Sequence, residues 1–262
     1  MIARADAGDR EAFFELLRRD PLFGGRIATA FDCWGGRPGA CGFYRVGRSA
    51  ALLVQGGGAL LCGAPEDDGA EELAAFLHFA GAGRLCSRRT CPPGWLRREL
   101  IEMELRPAAA PAERAPPGPA LPGGARLERH PSLWRLRQSG LLHGADPDGW
   151  YADACARQAR GLARIWTVER DGTPLATAGL YSLRPEGAYL AAVETLPAAR
   201  GRGCATALVA GLCRAAARPV RLLCEAPLRG FYERLGFAAC GAALEAVCPP
   251  GEGDGKTIKS PF

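Results

Sequence analysis

Residues 193–208 read Val-Glu-Thr-Leu-Pro-Ala-Ala-Arg-Gly-Arg-Gly-Cys-Ala-Thr-Ala-Leu, and this stretch carries the strongest structural signal in the chain. Its pattern predicts a short apolar strand, then a loop rich in Gly and Arg, then the first turns of a helix. The first N–H groups of a helix lack intrahelical partners and lie at the positive end of the helix dipole, so they bind phosphate well. Gly201 and Gly203 let the backbone approach an anion and adopt positive φ. The stretch therefore predicts an anion-binding loop that also carries Arg200 and Arg202.

The sequence after this loop alternates helices and strands. Apolar residues recur at helical spacing at Ala205, Leu208, Val209, Leu212 and Ala216. Arg218-Pro219 ends that helix, and residues 220–224 form an apolar strand. Pro227 begins a second helix, Gly236 ends it, and Phe237 starts another strand.

Upstream of the loop, three strands are predicted in succession. Residues 162–168 and 174–182 flank a turn at 169–172, which indicates an antiparallel hairpin, and residues 188–195 follow. Asp146-Pro147 begins a helix before them. Adjacent antiparallel strands followed by a crossover helix give a mixed sheet, so the fold class is α+β (mixed α/β).

The loop departs from the common nucleotide-binding patterns, since neither G-x-x-x-x-G-K-[ST] nor G-x-G-x-x-G occurs there. Arg200-x-x-Gly203-x-Ala205 instead resembles the pyrophosphate loop of the GNAT N-acetyltransferase superfamily, [QR]-x-x-G-x-[GA]. Residues 231–237, Phe-Tyr-Glu-Arg-Leu-Gly-Phe, are similar to its second signature, Tyr-x-x-x-Gly-Phe. The resemblance spans about residues 125–247. It implies a GNAT-like mixed sheet, acetyl-coenzyme A as donor, and direct transfer to an amine in a ternary complex.

The resemblance also implies which residues hold the cofactor. Backbone groups of Val193, Glu194 and Thr195 would pair with the pantetheine arm, and the N–H of Leu196 would donate to the thioester oxygen. The pyrophosphate would lie on the N–H groups of Arg200, Gly201, Arg202, Gly203 and Cys204, with Ala205 and Thr206 opening the helix behind it. Where the superfamily often has Asn, seven residues before the signature tyrosine, this chain has Glu225.

Two residues are candidates for catalysis. Tyr232 matches the superfamily tyrosine near the sulfur. A phenol of pKa about 10 is a poor full proton donor to a thiolate of pKa about 8.5, so we expect a hydrogen bond to developing charge. Glu194 is the nearest base in the sequence. Its ordinary pKa lies roughly six units below that of an alkylamine, so deprotonation after attack or through water is favoured over direct abstraction. Glu194 facing solvent or pairing with an Arg is the alternative.

The resemblance implies that the acceptor is an amine of a small molecule or peptide. Trp150, Tyr151, Asp153 and Tyr181 are candidates to line its side of the cleft, and packing is the alternative for each. A catalytically silent coenzyme A-binding sensor or scaffold is the alternative function, and transfer of other acyl groups stays open.

The chain is predicted to contain two domains. A Pro, Ala and Gly-rich linker at 107–124 separates an N-terminal α/β domain, residues 1–106, from the acetyl-coenzyme A domain, residues 125–248, and 249–262 form a flexible tail. Asp9 is a candidate cap for a first helix, and Gly56-Gly57-Gly58 indicates a hairpin. The following strand, helix and strand echo the C-terminal domain, so we interpret the first as a degenerate, non-catalytic GNAT-like unit. Residues 66–72 contain five acidic residues where the C-terminal domain has its loop, and carboxylates there repel phosphate.

Composition is that of an ordinary globular protein. The 262 residues carry a net charge of +5, and nearly all basic residues are Arg. The sequence predicts no helix or stripe with a dense basic face in which aromatic residues are interleaved. We therefore expect a cytoplasmic protein that binds neither nucleic acid nor membrane, with its oligomeric state left open. The eleven Cys are an odd number without a C-x-x-C pair, so we expect buried thiols rather than disulfides. A metal site at Cys86, Cys91 and His78 is the alternative to buried thiols there, and we predict no metal.

Overall fold

The computed structural model describes residues 1–5, 8–35, 37, 39, 41–66, 69–107, 121–142 and 146–249. The strands are β1 (Ile2–Arg4), β2 (Gly42–Val46), β3 (Ala50–Gln55), β4 (Gly58–Cys62), β5 (Arg84–Ser87), β6 (Leu96–Leu105), β7 (Ala125–Glu128), β8 (Arg164–Arg170), β9 (Thr173–Arg184), β10 (Gly187–Thr195), β11 (Val220–Cys224) and β12 (Ala238–Val247). The helices are α1 (Arg10–Arg18), α2 (Phe23–Trp34), α3 (Gly69–Phe79), α4 (Leu133–Gln138), α5 (Pro147–Ala159), α6 (Cys204–Ala216) and α7 (Arg229–Glu233), and 3-10 turns lie at Pro197–Ala199 and Ala226–Leu228.

Contacts between residues divide the chain into two compact units. The first unit contains Met1–Glu102, Leu223–Pro227 and the described part of Cys240–Thr257, and the second contains Met103–Leu222 and Leu228–Ala239. The units therefore differ from the contiguous segments 1–106 and 125–248, which stay a prediction of domains. Most of the predicted linker and tail, residues 108–120 and 250–262, lies outside the described residues, as do Asp67 and Asp68 of the acidic segment.

The sheet of the first unit has the strand order β1-β2-β3-β4-β5-β12. Neighbours from β1 to β4 are antiparallel, β4 and β5 are parallel, and Leu244–Val247 of β12 pairs antiparallel with β5. The helix α3 connects the two parallel strands. The predicted hairpin is confirmed, because Gly56 and Gly57 both have positive φ in the two-residue turn between β3 and β4.

Helices α1 and α2 account for two differences from the sequence analysis. The first helix forms as predicted, but the side chain of Asp9 makes no capping hydrogen bond. The helix α2 was not predicted, because ten of its twelve residues are buried and it lacks the polar face that marks an amphipathic helix. Its N-terminus is held by Asp20, whose Oδ1 accepts from the N–H groups of Leu22 and Phe23 at 2.9 and 3.1 Å.

The sheet of the second unit has the order β11-β10-β9-β8-β7. The pairs β7–β8, β8–β9 and β9–β10 are antiparallel, and β11 is parallel to β10. This arrangement confirms the predicted mixed sheet. Three antiparallel strands, a helix and a parallel strand thus occur in both units, with α6 in the place that α3 holds in the first.

Helices cover both faces of the second sheet. Ile165 of β8 is fully buried in a cluster with α4 and α5, and the next residue, Trp166, lies on the opposite face against α6. A Cβ on Gly211 of α6 would lie 2.7 Å from the Trp166 ring, so glycine allows this close approach. Among the residues described, no helix combines the length and apolar character needed to cross a bilayer.

Candidate active site

A β-bulge interrupts β10 just before the predicted anion-binding loop. Ala191 pairs with Gly179 of β9 and Glu194 pairs with Thr177, so β10 carries one extra residue between these pairs. Ala192, within the bulge, has φ of 51°. Because a bulge bends the strand and re-aims its backbone groups, the last residues of β10 are offset from the regular ladder.

The backbone of β10 beyond the bulge is hydrogen-bonded on one side only. The N–H of Leu196 donates to the carbonyl oxygen of Leu175 in β9 at 2.9 Å. This corrects the predicted role of that N–H, because a group that already donates to β9 does not also face a thioester oxygen. N–H groups alternate in direction along a regular strand, so Thr195, which follows the bulge and precedes Leu196, directs its N–H away from β9.

The side of β10 away from β9 pairs with β11 only near its start. In the described residues that pairing covers Ala188 with Val220 and Tyr189 with Arg221. Among the described residues, pairing of the two parallel strands therefore ends at Tyr189, and no strand of this unit pairs with the edge at 193–195. An extended amide-containing ligand fits such an edge as an added strand.

The predicted loop lies between this strand edge and α6. Gly201 and Gly203 have φ of 71° and 77°, so both occupy the left-handed conformation that glycine tolerates best. The first backbone bond of the helix is donated by Ala207 to the Gly203 carbonyl, and in the described chain the N–H groups of residues 201–206 donate to no backbone carbonyl. These N–H groups form the open positive end of a 13-residue helix.

The two arginines of the loop differ in their contacts. Arg200 Nε donates to the Thr195 carbonyl at 3.2 Å, which ties the loop back to the end of β10. Arg202 is exposed. Cys204 is 2% exposed and burial raises the pKa of its thiol, so it is a packing residue whose backbone N–H, not its sulfur, belongs to the site.

Three of the predicted acceptor residues lie together on the face of the second sheet opposite to α6. Trp150 Nε1 donates to the Tyr181 hydroxyl at 3.1 Å, and both rings contact the buried cluster around Leu136 and Ile165. Leu196 contacts the same cluster, so the end of β10 joins it. Tyr151 also contacts this cluster and forms an edge-to-face pair with Trp134, with ring centroids 5.7 Å apart.

Asp153 has a structural partner that the sequence did not reveal. Arg157 Nε donates to Asp153 Oδ2 at 2.7 Å, and Arg157 Nη1 donates to the Tyr181 carbonyl at 2.7 Å. The side chains are 9% and 16% exposed, so this ion pair is largely removed from water. Asp153 therefore fixes Arg157, and through it β9, rather than facing an acceptor directly. Its i,i+4 spacing on α5 was the available sequence signal.

Glu194 lies within electrostatic range of this cluster. Burial raises the pKa of Tyr181 above its ordinary value, and the charges of Asp153 and Glu194 raise it further. Tyr181 thus stays protonated at neutral pH, with its own O–H available as a donor while its oxygen accepts from Trp150. The charge of Glu194 therefore acts on Tyr181, a relationship that the sequence did not predict.

Tyr232 lies on the short helix α7 and is 7% exposed. Its ring makes edge-to-face contacts with Phe231 and Phe237, at centroid distances of 5.0 and 5.8 Å. The N–H of Phe237 donates to the Tyr232 carbonyl and Gly236 has φ of 89°, which confirms the predicted glycine stop.

Glu225, the departure from the superfamily pattern, is paired within the first unit. Arg98 Nη1 donates to Glu225 Oε1 at 2.7 Å, and both side chains are about half exposed. Its negative charge is therefore partly compensated. The eleven cysteines, all within the described residues, form no disulfide, and the described residues contain no cluster of three or more His, Cys, Asp or Glu side chains able to hold a metal.

One protein-family model matches the part of the chain that contains this site. The model of the acetyltransferase (GNAT) family matches residues 131–237, from α4 to the end of the α7 segment. Residues 131–237 belong to the GNAT acetyltransferase family. The loop at 200–206 and the signature at 231–237 both lie within this GNAT domain. No curated protein matches the sequence.

Solved structures extend the similarity of fold beyond the GNAT domain. A GCN5-related N-acetyltransferase from Kribbella flavida is 14% identical with a TM-score of 0.61, over 88% of this chain and 95% of that one. A tandem GNAT protein from the clavulanic acid biosynthesis pathway is 16% identical with a TM-score of 0.60, over 96% and 99%. A GCN5-related N-acetyltransferase from Sphaerobacter thermophilus is 14% identical with a TM-score of 0.55, over 94% of each chain. At these identities the likeness concerns the fold.

Proposed function

We propose that this chain is an acetyl-coenzyme A-dependent N-acetyltransferase that moves an acetyl group directly to an amine of a small molecule or peptide in a ternary complex. One observation carries the proposal: among the described residues, the N–H groups of 201–206 donate to no backbone carbonyl and open α6 beside an edge of β10 that β11 does not pair with. A polyphosphate joined to a linear amide arm matches these two features in charge and in hydrogen bonding. The GNAT family of residues 131–237 supports the same donor.

The cofactor would bind with its pyrophosphate on the loop and its arm along β10. The N–H groups of residues 201–206 would face the phosphates, whereas the Arg200 N–H donates to the Pro197 carbonyl at 3.3 Å, and the guanidinium of Arg202 would supply charge. The arm would pair with the edge at Val193, Glu194 and Thr195, where the Thr195 N–H is directed away from β9. Since the Leu196 N–H is held by Leu175, the Thr195 amide would take over the thioester oxygen.

The reaction needs a neutral amine and a stabilised thiolate. The amine nitrogen attacks the acetyl carbonyl, the C–N bond forms, the C–S bond breaks, and the ammonium proton leaves through Glu194 or water. Loss of this proton follows attack, because the amine nitrogen, once bonded to the carbonyl carbon, is far more acidic than the free ammonium. Tyr232 donates a hydrogen bond to the departing sulfur, which takes up a proton afterwards.

The acceptor amine would approach from the face that carries α4 and α5. Trp150, Tyr151 and Tyr181 give that face an aromatic character, and the negative charge of Glu194 acts on Tyr181. We therefore expect amines with an apolar or aromatic body to be better acceptors than strongly acidic ones.

Release of free thiol from acetyl-coenzyme A, measured with a panel of amines, tests the function. We expect turnover with at least one amine, and acetylated product by mass spectrometry. Tight binding of acetyl-coenzyme A without turnover on any amine would favour the silent sensor or scaffold. Absence of binding would overturn both.

Calorimetry of acetyl-coenzyme A binding tests where the cofactor lies. We expect one site per chain, because Glu71 and Glu72 occupy the first turn of α3, where α6 has free N–H groups. Glu72 also binds the N-terminal amine, at 2.8 Å. Two equivalent sites would show that the first unit binds the cofactor too.

A further inference from the structure

Arg170, the last residue of β8, is a charged residue that neither the loop motif nor the family signature accounts for. It is partly buried, and its Nε is fully shielded from solvent without a hydrogen-bond partner. Across the described residues the side chain has neither a hydrogen bond nor an ion pair. Shielded guanidinium nitrogens are normally satisfied, so this arrangement points to a ligand.

The topology of the second unit places Arg170 at the open end of α6. The helix α6 returns from β10 to the parallel strand β11, so it runs opposite to β10. Two antiparallel steps make β8 parallel to β10, and α6 therefore also runs opposite to β8. The carboxyl end of β8 and the N-terminus of α6 lie at the same edge of the sheet.

The contact between Gly211 and Trp166 fixes how far the two elements overlap. From Gly211 back to Cys204 the helix covers about 10 Å, since it rises about 1.5 Å per residue. From Trp166 to Arg170 the strand covers about 13 Å in the same direction. Side chains alternate along a strand, so Arg170 shares with Trp166 the face that α6 covers.

The electrostatics of Cys204 agree with this placement. Burial raises the pKa of its thiol, while the positive charges of Arg202 and Arg170 act in the opposite direction. Both guanidinium groups are thus close enough to act on the first residue of α6. The carboxylate of the preceding residue does not pair with Arg170, because Glu169 lies on the other face of the strand and accepts from Thr167 Oγ1 at 2.8 Å.

We propose that Arg170 is a phosphate-binding residue of the cofactor site, where its guanidinium joins the N–H groups of residues 201–206 on a phosphate of coenzyme A. This inference rests on the proposed function. A guanidinium with a shielded Nε presents a fixed donor fork, which suits a phosphate better than a mobile, fully exposed arginine does.

The test compares binding of coenzyme A, dephospho-coenzyme A and acetylpantetheine to Arg170→Gln by calorimetry. We expect Arg170→Gln to weaken coenzyme A binding about tenfold, the loss of one charge-assisted bond, with acetylpantetheine binding unchanged. Arg170→Lys should recover part of the affinity. The matched control is Arg214→Gln, which removes the same charge from the last turn of α6.

Dephospho-coenzyme A identifies the phosphate. A defect that persists with it assigns Arg170 to the pyrophosphate, and a defect that disappears assigns it to the 3′-phosphate. Coenzyme A affinity within about twofold of wild type in Arg170→Gln would overturn the inference and leave the proposed function standing. Failure of the wild-type protein to bind coenzyme A would instead overturn the proposed function.

A measurement on the unaltered protein covers the case in which Arg170→Gln does not fold. Modification by phenylglyoxal, read at Arg170 by peptide mass spectrometry, should be slowed by coenzyme A and not by acetylpantetheine. Equal modification of Arg170 with and without saturating coenzyme A would contradict phosphate binding there.

Discussion

The indole N–H of Trp150 on α5 donates to the hydroxyl of Tyr181 on β9, at 3.1 Å. Arg157, two turns along the same helix, donates to the Tyr181 carbonyl at 2.7 Å. Helix α5 is therefore joined to β9 through both the side chain and the backbone of one tyrosine. This connection positions the aromatic face on which we place the acceptor amine.

We expect Tyr181→Phe to cost about 1–3 kcal/mol of stability, because it leaves the Trp150 N–H without its acceptor. The Michaelis constant for the amine should rise while acetyl-coenzyme A affinity stays unchanged. Thermal unfolding and initial-rate kinetics measure both effects. In the double variant Trp150→Phe/Tyr181→Phe the stability loss should be smaller than the sum of the single losses. Additive losses would show that the 3.1 Å contact contributes nothing.

Gly203 separates the effect of charge from that of backbone strain. Its φ of 77° is tolerated by Asn better than by other side chains, and Asp has nearly the same shape with a negative charge. We expect Gly203→Asp to abolish acetyl-coenzyme A binding, because it inserts a carboxylate beside phosphate. Gly203→Asn inserts no charge and should weaken binding by less than about tenfold. Circular dichroism should show both variants folded. Equal loss of binding in the two would mean that Gly203 only permits the turn.

The loop and its helix were predictable from the sequence because the signal is local. The spacing from Arg200 to Ala205, with the apolar stripe after it, specifies a strand, loop and helix without distant contacts. The role of the Leu196 N–H was not predictable, since it depends on a bulge at Ala192. Alanine with positive φ leaves no mark in the sequence, and the bulge decides which amides face β9.

Contacts between residues far apart in the chain were not predictable either, because no local sequence pattern marks them. Arg170 is one of many arginines, and only the overlap of β8 with α6 distinguishes it. The helix α2 was missed because Gly24 and Gly25 have low helix propensity and its burial on all sides removes the periodic pattern. Gly24 is needed there, as a Cβ would lie 1.8 Å from the Leu17 carbonyl oxygen.

The first unit contains an ion-pair network whose loss should be visible in its unfolding. Arg88 binds Asp20 through two hydrogen bonds of 2.6 and 2.9 Å and also binds Glu102. Burial would raise the pKa of Asp20, but the hydrogen bonds and charge of Arg88 outweigh it and hold that pKa below its usual range. We expect Arg88→Met to cost about 3–5 kcal/mol at pH 7, because two largely buried carboxylates lose their partner.

The sign of the pH dependence follows from Asp20. A lowered pKa in the folded state contributes stability that is present above the unfolded value of about 3.9 and lost as pH falls below it. The difference between wild type and Arg88→Met should therefore be largest above about pH 5 and shrink below about pH 4. Arg97→Met is the control, because its pair with Glu99 is exposed and contributes little. A difference that does not change with pH would exclude Asp20 as its source.

Tyr232→Phe distinguishes a hydrogen bond to the departing sulfur from simple packing. Phe keeps the edge-to-face contacts with Phe231 and Phe237 and removes only the hydroxyl. If the hydroxyl stabilises the thiolate, kcat should fall about 100-fold, the lower end for one donor to developing charge, since a thiolate is a good leaving group. Acetyl-coenzyme A affinity and thermal stability should change little. Tyr44→Phe, a tyrosine paired with Phe76 in the first unit, should leave kcat unchanged. A Tyr232→Phe turnover within about threefold of wild type would remove Tyr232 from the chemistry and leave the sulfur to water or backbone N–H groups.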